Sequence, residues 1–333
     1  MRASVSAALK MKNNRWPIAT ALCSLLLLAG CGDWGGQRQH KPAPPAQVDM
    51  VLIPAGEFVM GSNKTDEAKI QKEYGFVEPL FLDEHPQRKT ELPAFLIDRY
   101  EVTNGQYKAF VQQTKRAEPP LWIKNGYNVR DEKLQSFSLD TLRWGATNFF
   151  KLDMDTRNMT REAILAELAK IQRKRDKLPV TVVSWADADA YCRWLGRRLP
   201  SEAEWEKAAR GPQGLEYPWG NEWDPKKPNT GNAADNEDEA AELGGAHPGD
   251  KSFYGVYDMA GNVSEWVADW YKPYPGSSFV SKNYGEKQKV TRGGGAGVGH
   301  YSLSFFYRGA LRGHFDPETL SSDLGFRCAA DAR

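Results

Sequence analysis

Apolar and polar positions along this chain fall into short alternating runs more often than into long helical stripes. "VDMVLIPAGEFVMGS", residues 48–62, holds two β-rich runs broken by Pro-Ala-Gly and predicts a hairpin. "TELPAFLIDRYEVTNGQYKAFVQQT" then predicts a strand followed by a helix. Thr103 is the expected N-cap of that helix, and Gln106 three residues on completes a capping box. Patterning weakens over residues 115–178, which read as an insert. Its exception is "TREAILAELAKIQRKRDK", where Ile164, Leu165, Leu168 and Ile171 share one helical face. Such a helix covers part of the core or serves as a lid or partner surface. Residues 180–183 predict a β-branched strand, and Ser184 caps a helix running to Leu195 and stopped by Gly196. Pro200 and Ser201 open another, with Glu202 and Glu204 suited to its positive end. After Gly211 the chain predicts only loops and short strands.

Composition agrees with that reading. Thirty Gly and twenty Pro argue against long regular helices, and 11 Trp, 13 Tyr and 14 Phe favour aromatic packing among loops. The first thirty residues obey a different rule. Arg2, Lys10, Lys12 and Arg15 precede the apolar run "IATALCSLLLLAG", residues 18–30. A span needs roughly twenty apolar residues, so this run has the length of a signal-peptide core. Its ending, "LAGC", resembles a bacterial lipobox, in which Cys31 is lipidated and becomes the mature N-terminus. An ordinary secretory signal with an incidental cysteine is the alternative. Translation starts at Met1 or Met11.

The expected organisation is a signal peptide over residues 1–30, a lipidated Cys31 with a Gly- and Pro-rich tether to residue 47, and one domain over 48–331. This predicts a bacterial cell-envelope protein, lipid-anchored and periplasm-facing. Gly32 after the cysteine favours the outer membrane. Cleavage removes four basic and no acidic residues, taking the formal charge from +1 to −3. Without a basic surplus, nucleic acid is not an expected partner. The membrane is expected as a partner through the anchor, with an envelope protein or a glycan beside it. Once Cys31 carries lipid, Cys192 and Cys328 remain. In an oxidising compartment such a pair forms a disulfide or stays as two buried thiols.

Several motifs occur in a fixed order: "VLIPAGEFVMGS", "FLIDRYEVTNGQYKAF", "VSWADADAYCRWLGRRLPSEAEWEKAARG", "YPWGNEWDP", "YGVYDMAGNVSEWVADWY", "RGG" and "LGFRCAA". Together they resemble the formylglycine-generating enzyme (sulfatase-modifying factor) family. The resemblance implies a single irregular α+β domain with little regular secondary structure, related to the C-type-lectin fold. It also implies a disulfide between the cysteines of "AYC" and "GFRC", here Cys192 and Cys328.

Members of that family oxidise a substrate cysteine with copper held by two cysteines shortly after "RGGSW". Soft Cu(I) needs thiolates. Here the region reads "RGGGAGVGHYSLSFFYRGALR", with Gly295 and Ala296 at the Ser and Trp positions and no cysteine between Cys192 and Cys328. The Trp of the family's "NAWEW" is Ser264. Copper is therefore not expected. His300 and His314, with Asp316 or Asp323, would suit a harder redox metal, although histidines in such loops more often hydrogen-bond to carbonyls. The glycine run lacks the lysine and context of a phosphate loop. The resemblance further implies structural calcium at Asp258, Gly261, Val263 and Glu265, an oxygen-rich set suited to a hard cation. The alternative has Asp258 capping a turn and Glu265 pairing with a buried Arg. A second calcium site would begin at Asn232 and Ala233.

The function expected is a binding or accessory component that does not generate formylglycine. An oxidoreductase with different metal chemistry is the alternative, and sulfatase activation ranks last.

Overall fold

In the computed structural model, which describes residues 49–76, 80–231, 240–296 and 304–332, the chain builds three small sheets rather than one large one. Strand β1 (Met50–Ile53) does not pair with β2 (Gly56–Met60), so the predicted hairpin is not formed. Instead β1 lies antiparallel to β4 (Phe95–Asp98), while β2 pairs with β3 (Arg88–Leu92). Core packing explains the split. Val51 and Ile53 bury with Phe95 and Ile97, whereas Phe58 and Met60 bury with Tyr274 in a separate cluster. Gly56, at φ +128°, lets the chain leave the first sheet for the second. Strand β9 (Ala329–Asp331) adds to the other side of β4.

After the four-residue helix α1 (Ile70–Glu73), helix α2 (Asn104–Thr114) starts with the expected box. Thr103 accepts from the Gln106 N–H, and Gln106 Oε1 accepts from the Thr103 N–H. The insert is more helical than its sequence suggests. It contains α3 (Pro120–Asn125), α4 (Asp131–Ser136), α5 (Leu139–Asn148) and α6 (Arg161–Arg175). Leu134, Leu142, Ala146 and Phe150 form an apolar cluster there with Ile164 and Leu168 of α6, and Leu165 and Ile171 pack against its margin.

Residues 180–183 do not make a strand. Val182 sits at φ +58°, which breaks the extended run, and Val180 instead donates to the Val102 carbonyl. Val180 and Val183 are nonetheless buried beside Tyr107 and Trp266, so their apolar pattern reports burial and not strand pairing. Helix α7 (Trp185–Trp194) follows with Ser184 as N-cap, and α8 (Glu202–Arg210) with a Ser201–Glu204 capping box.

The last sheet carries the loops of interest. Its order is β7 (Gly313–Phe315), β6 (Lys289–Arg292), β5 (Ser264–Trp270), β8 (Leu324–Gly325), with β5 and β8 parallel and the other pairs antiparallel. "DMAGNV" enters β5, and the glycine run leaves β6. Cys192 of α7 and Cys328, just before β9, form a disulfide with Cα atoms 5.6 Å apart, both buried among Tyr107, Tyr191 and Phe326. This is the pair expected. Among the described residues no helix is long and apolar enough to cross a membrane. The signal segment, Cys31 and the tether lie outside the described residues, as do Asn232, Ala233 and His300.

Candidate functional site

Where β6 ends, a buried ionic lattice fixes the glycine run. Arg292 is fully buried and donates to Glu206 Oε2 at 2.7 Å, to Glu202 Oε1 at 3.3 Å and to the Gly309 and Ala310 carbonyls. Arg312 donates to both oxygens of Glu202, and Arg308 makes a two-pronged pair with Glu84 at 2.8 Å. Burial opposes the Glu202 charge, but Arg312 and Arg292 outweigh it and hold its carboxyl below the usual range. The Glu202 and Glu206 carboxylates on α8 thus tie down Arg292 before the glycine run and Arg312 after it.

Between these anchors Gly294 and Gly295 are places of close approach. A Cβ on Gly295 would lie 2.7 Å from Asp323 Oδ2, and one on Gly294 would lie 2.6 Å from the Tyr307 ring. The space that a serine would take at position 295 is therefore filled by the Asp323 carboxylate, whose other oxygen bonds Ser321 Oγ. Ser264, at the family's tryptophan position, donates to the Gly293 carbonyl at 3.1 Å. Tyr307 is buried, stacks on Trp223 with ring centroids 5.4 Å apart, and its hydroxyl has no partner among the described residues. Burial, reinforced by Asp323, pushes its pKa up.

The two cysteines of the described domain are joined to each other, so no thiolate pair exists for Cu(I). Among the described residues no three or more His, Cys, Asp or Glu converge in a ligating arrangement. His314 is occupied in packing. Its ring stacks on Tyr271 at 4.0 Å, its Nδ1 meets Gln288 Oε1, and burial lowers its pKa, with Arg312 adding to the effect. Asp316 closes an exposed turn by accepting from the Glu318 N–H.

The loop expected to hold calcium is more telling. Asp258 stands at φ +58° and accepts from the Gly245 N–H at 2.6 Å. Glu265 is fully engaged: Arg327 donates to it at 2.6–2.9 Å and Trp205 Nε1 at 2.8 Å. Glu265 is thus the counter-ion of a buried Arg, the alternative reading of this loop. Two residues the sequence reading missed join it. Glu101 and Asp250 are buried in the same cluster, so four carboxylates, with Asp258 and Glu265, act on the single Arg327 guanidinium. Glu101 Oε2 has no hydrogen-bond partner among the described residues. Burial pushes Asp250 and Asp258 up to about 7, and burial with Asp258 nearby pushes Glu101 well up. The cluster carries surplus negative charge with Glu101 Oε2 as its unpartnered oxygen, the kind of donor a hard cation takes, while Asp258 is bonded to the Gly245 N–H and Glu101 Oε1 to Asn262.

Comparison with known proteins decides the lineage. The sulfatase-modifying factor enzyme 1-like domain matches residues 37–332. The chain belongs to the formylglycine-generating enzyme family. The bovine formylglycine-generating enzyme is 33% identical over 322 residues, covering 87% of this chain and 76% of that protein. A bovine relative named inactive C-alpha-formylglycine-generating enzyme 2 is also 33% identical, covering 86% and 89%. The solved structure of PvdO from Pseudomonas aeruginosa superposes with TM-score 0.54 at 26% identity, over 85% of this chain and 94% of that one. The mixed helix-and-sheet domain is the frame this chain shares with that neighbour.

Proposed function

We propose that this family member is a lipid-anchored cell-envelope protein that does not generate formylglycine and acts as a binding or accessory component. One observation carries the reading: the cysteines left beyond Cys31 are consumed in the Cys192–Cys328 disulfide, leaving no thiolates to hold copper. The 33% identical relative named as inactive is consistent with it. To test it, the mature protein is incubated with Cu(I) and a cysteine-containing sulfatase peptide, and the peptide is followed by mass spectrometry. The cysteine should survive intact. Turnover to formylglycine at a rate comparable with an active family member would refute the proposal. Anchoring is tested separately with a palmitate analogue, which should label wild type but not Cys31→Ser. Equal labelling of both would end that part.

We further infer that calcium, if bound, is held by Asp258 and the Gly261 and Val263 carbonyls with Glu101, while Glu265 serves Arg327. A second functional reading is an oxidoreductase of different metal chemistry, for which the buried Tyr307 hydroxyl, unpartnered among the described residues, is the available proton donor. Redox metal copurifying near one equivalent would favour that reading, and its absence after metal reconstitution would remove it.

A further inference from the structure

Away from the glycine run, a cavity of about 480 Å³ opens between β3 and the segment following β5. Arg88 and Thr90 line it from β3 and, being two residues apart, share one face of that strand. Trp270 and Tyr274 supply the apolar side.

Arg88 is the anomaly. Elsewhere the buried guanidinium groups of Arg292, Arg308, Arg312 and Arg327 are each answered by a carboxylate. Among the described residues Arg88 donates through Nη2 only to Met60 Sδ, at 3.1 Å, and its guanidinium carbon sits 4.0 Å over the Tyr274 ring. Thioether sulfur is a weak acceptor, and a ring face offers no lone pair. Among the described residues, Arg88 Nη1 is buried without an acceptor, and the Thr90 hydroxyl is buried without a partner. Donors left unmade in this way are costly, and a guanidinium fork is shaped for two oxygens.

Charge on the wall points the same way. Lys272, Lys289 and Arg312 join Arg88, against Glu202 and Asp269 alone. Glu202 is already bonded to Arg312, and Asp269 accepts from the Glu202 N–H at 2.6 Å. Lys289 is only 3% exposed, with its ammonium between the Trp185 and Trp270 rings at 3.7 and 4.0 Å. A buried, ring-clamped ammonium is poorly screened by water, so its field reaches into the cavity.

We propose that this cavity is a binding site for a small organic oxyanion, a carboxylate or a phosphate ester, held by Arg88 and Thr90 with its body against Trp270 and Tyr274. The volume lies within the usual range for small-molecule sites. No described residue of the glycine run lines the cavity, although Glu202 and Arg312 belong both to its wall and to the ionic lattice beside that run.

The experiment titrates the mature, full-length protein with succinate and, separately, with inorganic phosphate, at constant ionic strength set by chloride. Binding is read by calorimetry and by tryptophan fluorescence. At least one probe should bind saturably, and the stronger of the two assigns the carboxylate or phosphate class. Arg88→Gln should bind it at least tenfold more weakly, and Arg88→Lys, which keeps the charge without the fork, should fall between. Thr90→Val, close in shape, should fold as wild type and also bind more weakly. Failure of both probes to saturate against chloride overturns the site. So does wild-type affinity in Arg88→Gln or, should that variant misfold, in Thr90→Val.

Discussion

Glu206 and Arg292 meet at 2.7 Å with neither side chain exposed to solvent. Glu206 Oε1 also accepts from the Gly61 N–H and from Arg210, so one carboxylate joins β2's exit, α8 and β6. Removing one partner of a buried pair leaves an uncompensated charge and typically costs roughly 3–5 kcal/mol. Glu206→Gln should therefore lower the urea midpoint by a corresponding amount. The Glu206→Gln, Arg292→Met double variant should lose less than the sum of the singles. Additive losses would show that the two do not act as a pair.

The Cys192–Cys328 bridge ties α7 to the strand that completes the first sheet. Replacing both cysteines by alanine should cost roughly 2–5 kcal/mol, typical of a native disulfide. Calorimetry with and without reductant measures it. A double variant that melts with oxidised wild type would show that the bridge adds nothing to stability.

Asp83 gives a pH dependence of definite sign. Burial raises its pKa from 3.8 to about 6. The folded chain therefore keeps a proton that the unfolded chain releases. Stability from this group is full below about pH 4 and is lost as pH rises through about 6. Asp83→Asn, which stays neutral and can still accept from Tyr271, should exceed wild type at pH 7 by roughly 1–3 kcal/mol and lose that advantage near pH 4. Denaturation at both pH values decides the matter, and a pH-independent difference would contradict it.

At the acidic cluster, two substitutions separate two roles. If calcium binds, chelation should lower the melting temperature of wild type, because a ligand bound only by the native state stabilises it. Asp258→Asn should abolish that response. Glu265→Gln should instead destabilise strongly with or without chelator, since it strands Arg327. A wild type indifferent to chelator would mean that buried Asp258 and Glu101 keep their protons and need no cation.

Much of this arrangement is written locally. The Thr103–Gln106 and Ser201–Glu204 boxes are visible because each depends on residues three apart. The 48–62 hairpin fails because a Pro-Ala-Gly break signals a change of direction but not which strand comes next to it. Only the long-range burial of Val51 with Ile97 decides that. Val182 illustrates a similar limit, since its positive φ follows from donating to Ser321, far along the chain. At the site, the missing cysteines were legible by inspection. Glu101 and Arg88 were not, because what marks them is an empty partner position, and absence of a partner exists only in three dimensions.

The antiparallel pairing of β9 with β4 has a consequence for biosynthesis. Residues 95–97 must wait for 329–331, the Cys192 thiol must wait for Cys328, and the bond from Arg198 to Ala329 waits with them. A nascent chain on the ribosome can assemble its helices in order, but its first sheet stays one strand short until residues 329–331 have been made. Quality control in the cell can thus treat an open β4 edge as the mark of an unfinished chain, and even a short truncation before Cys328 is expected to be degraded rather than merely weakened.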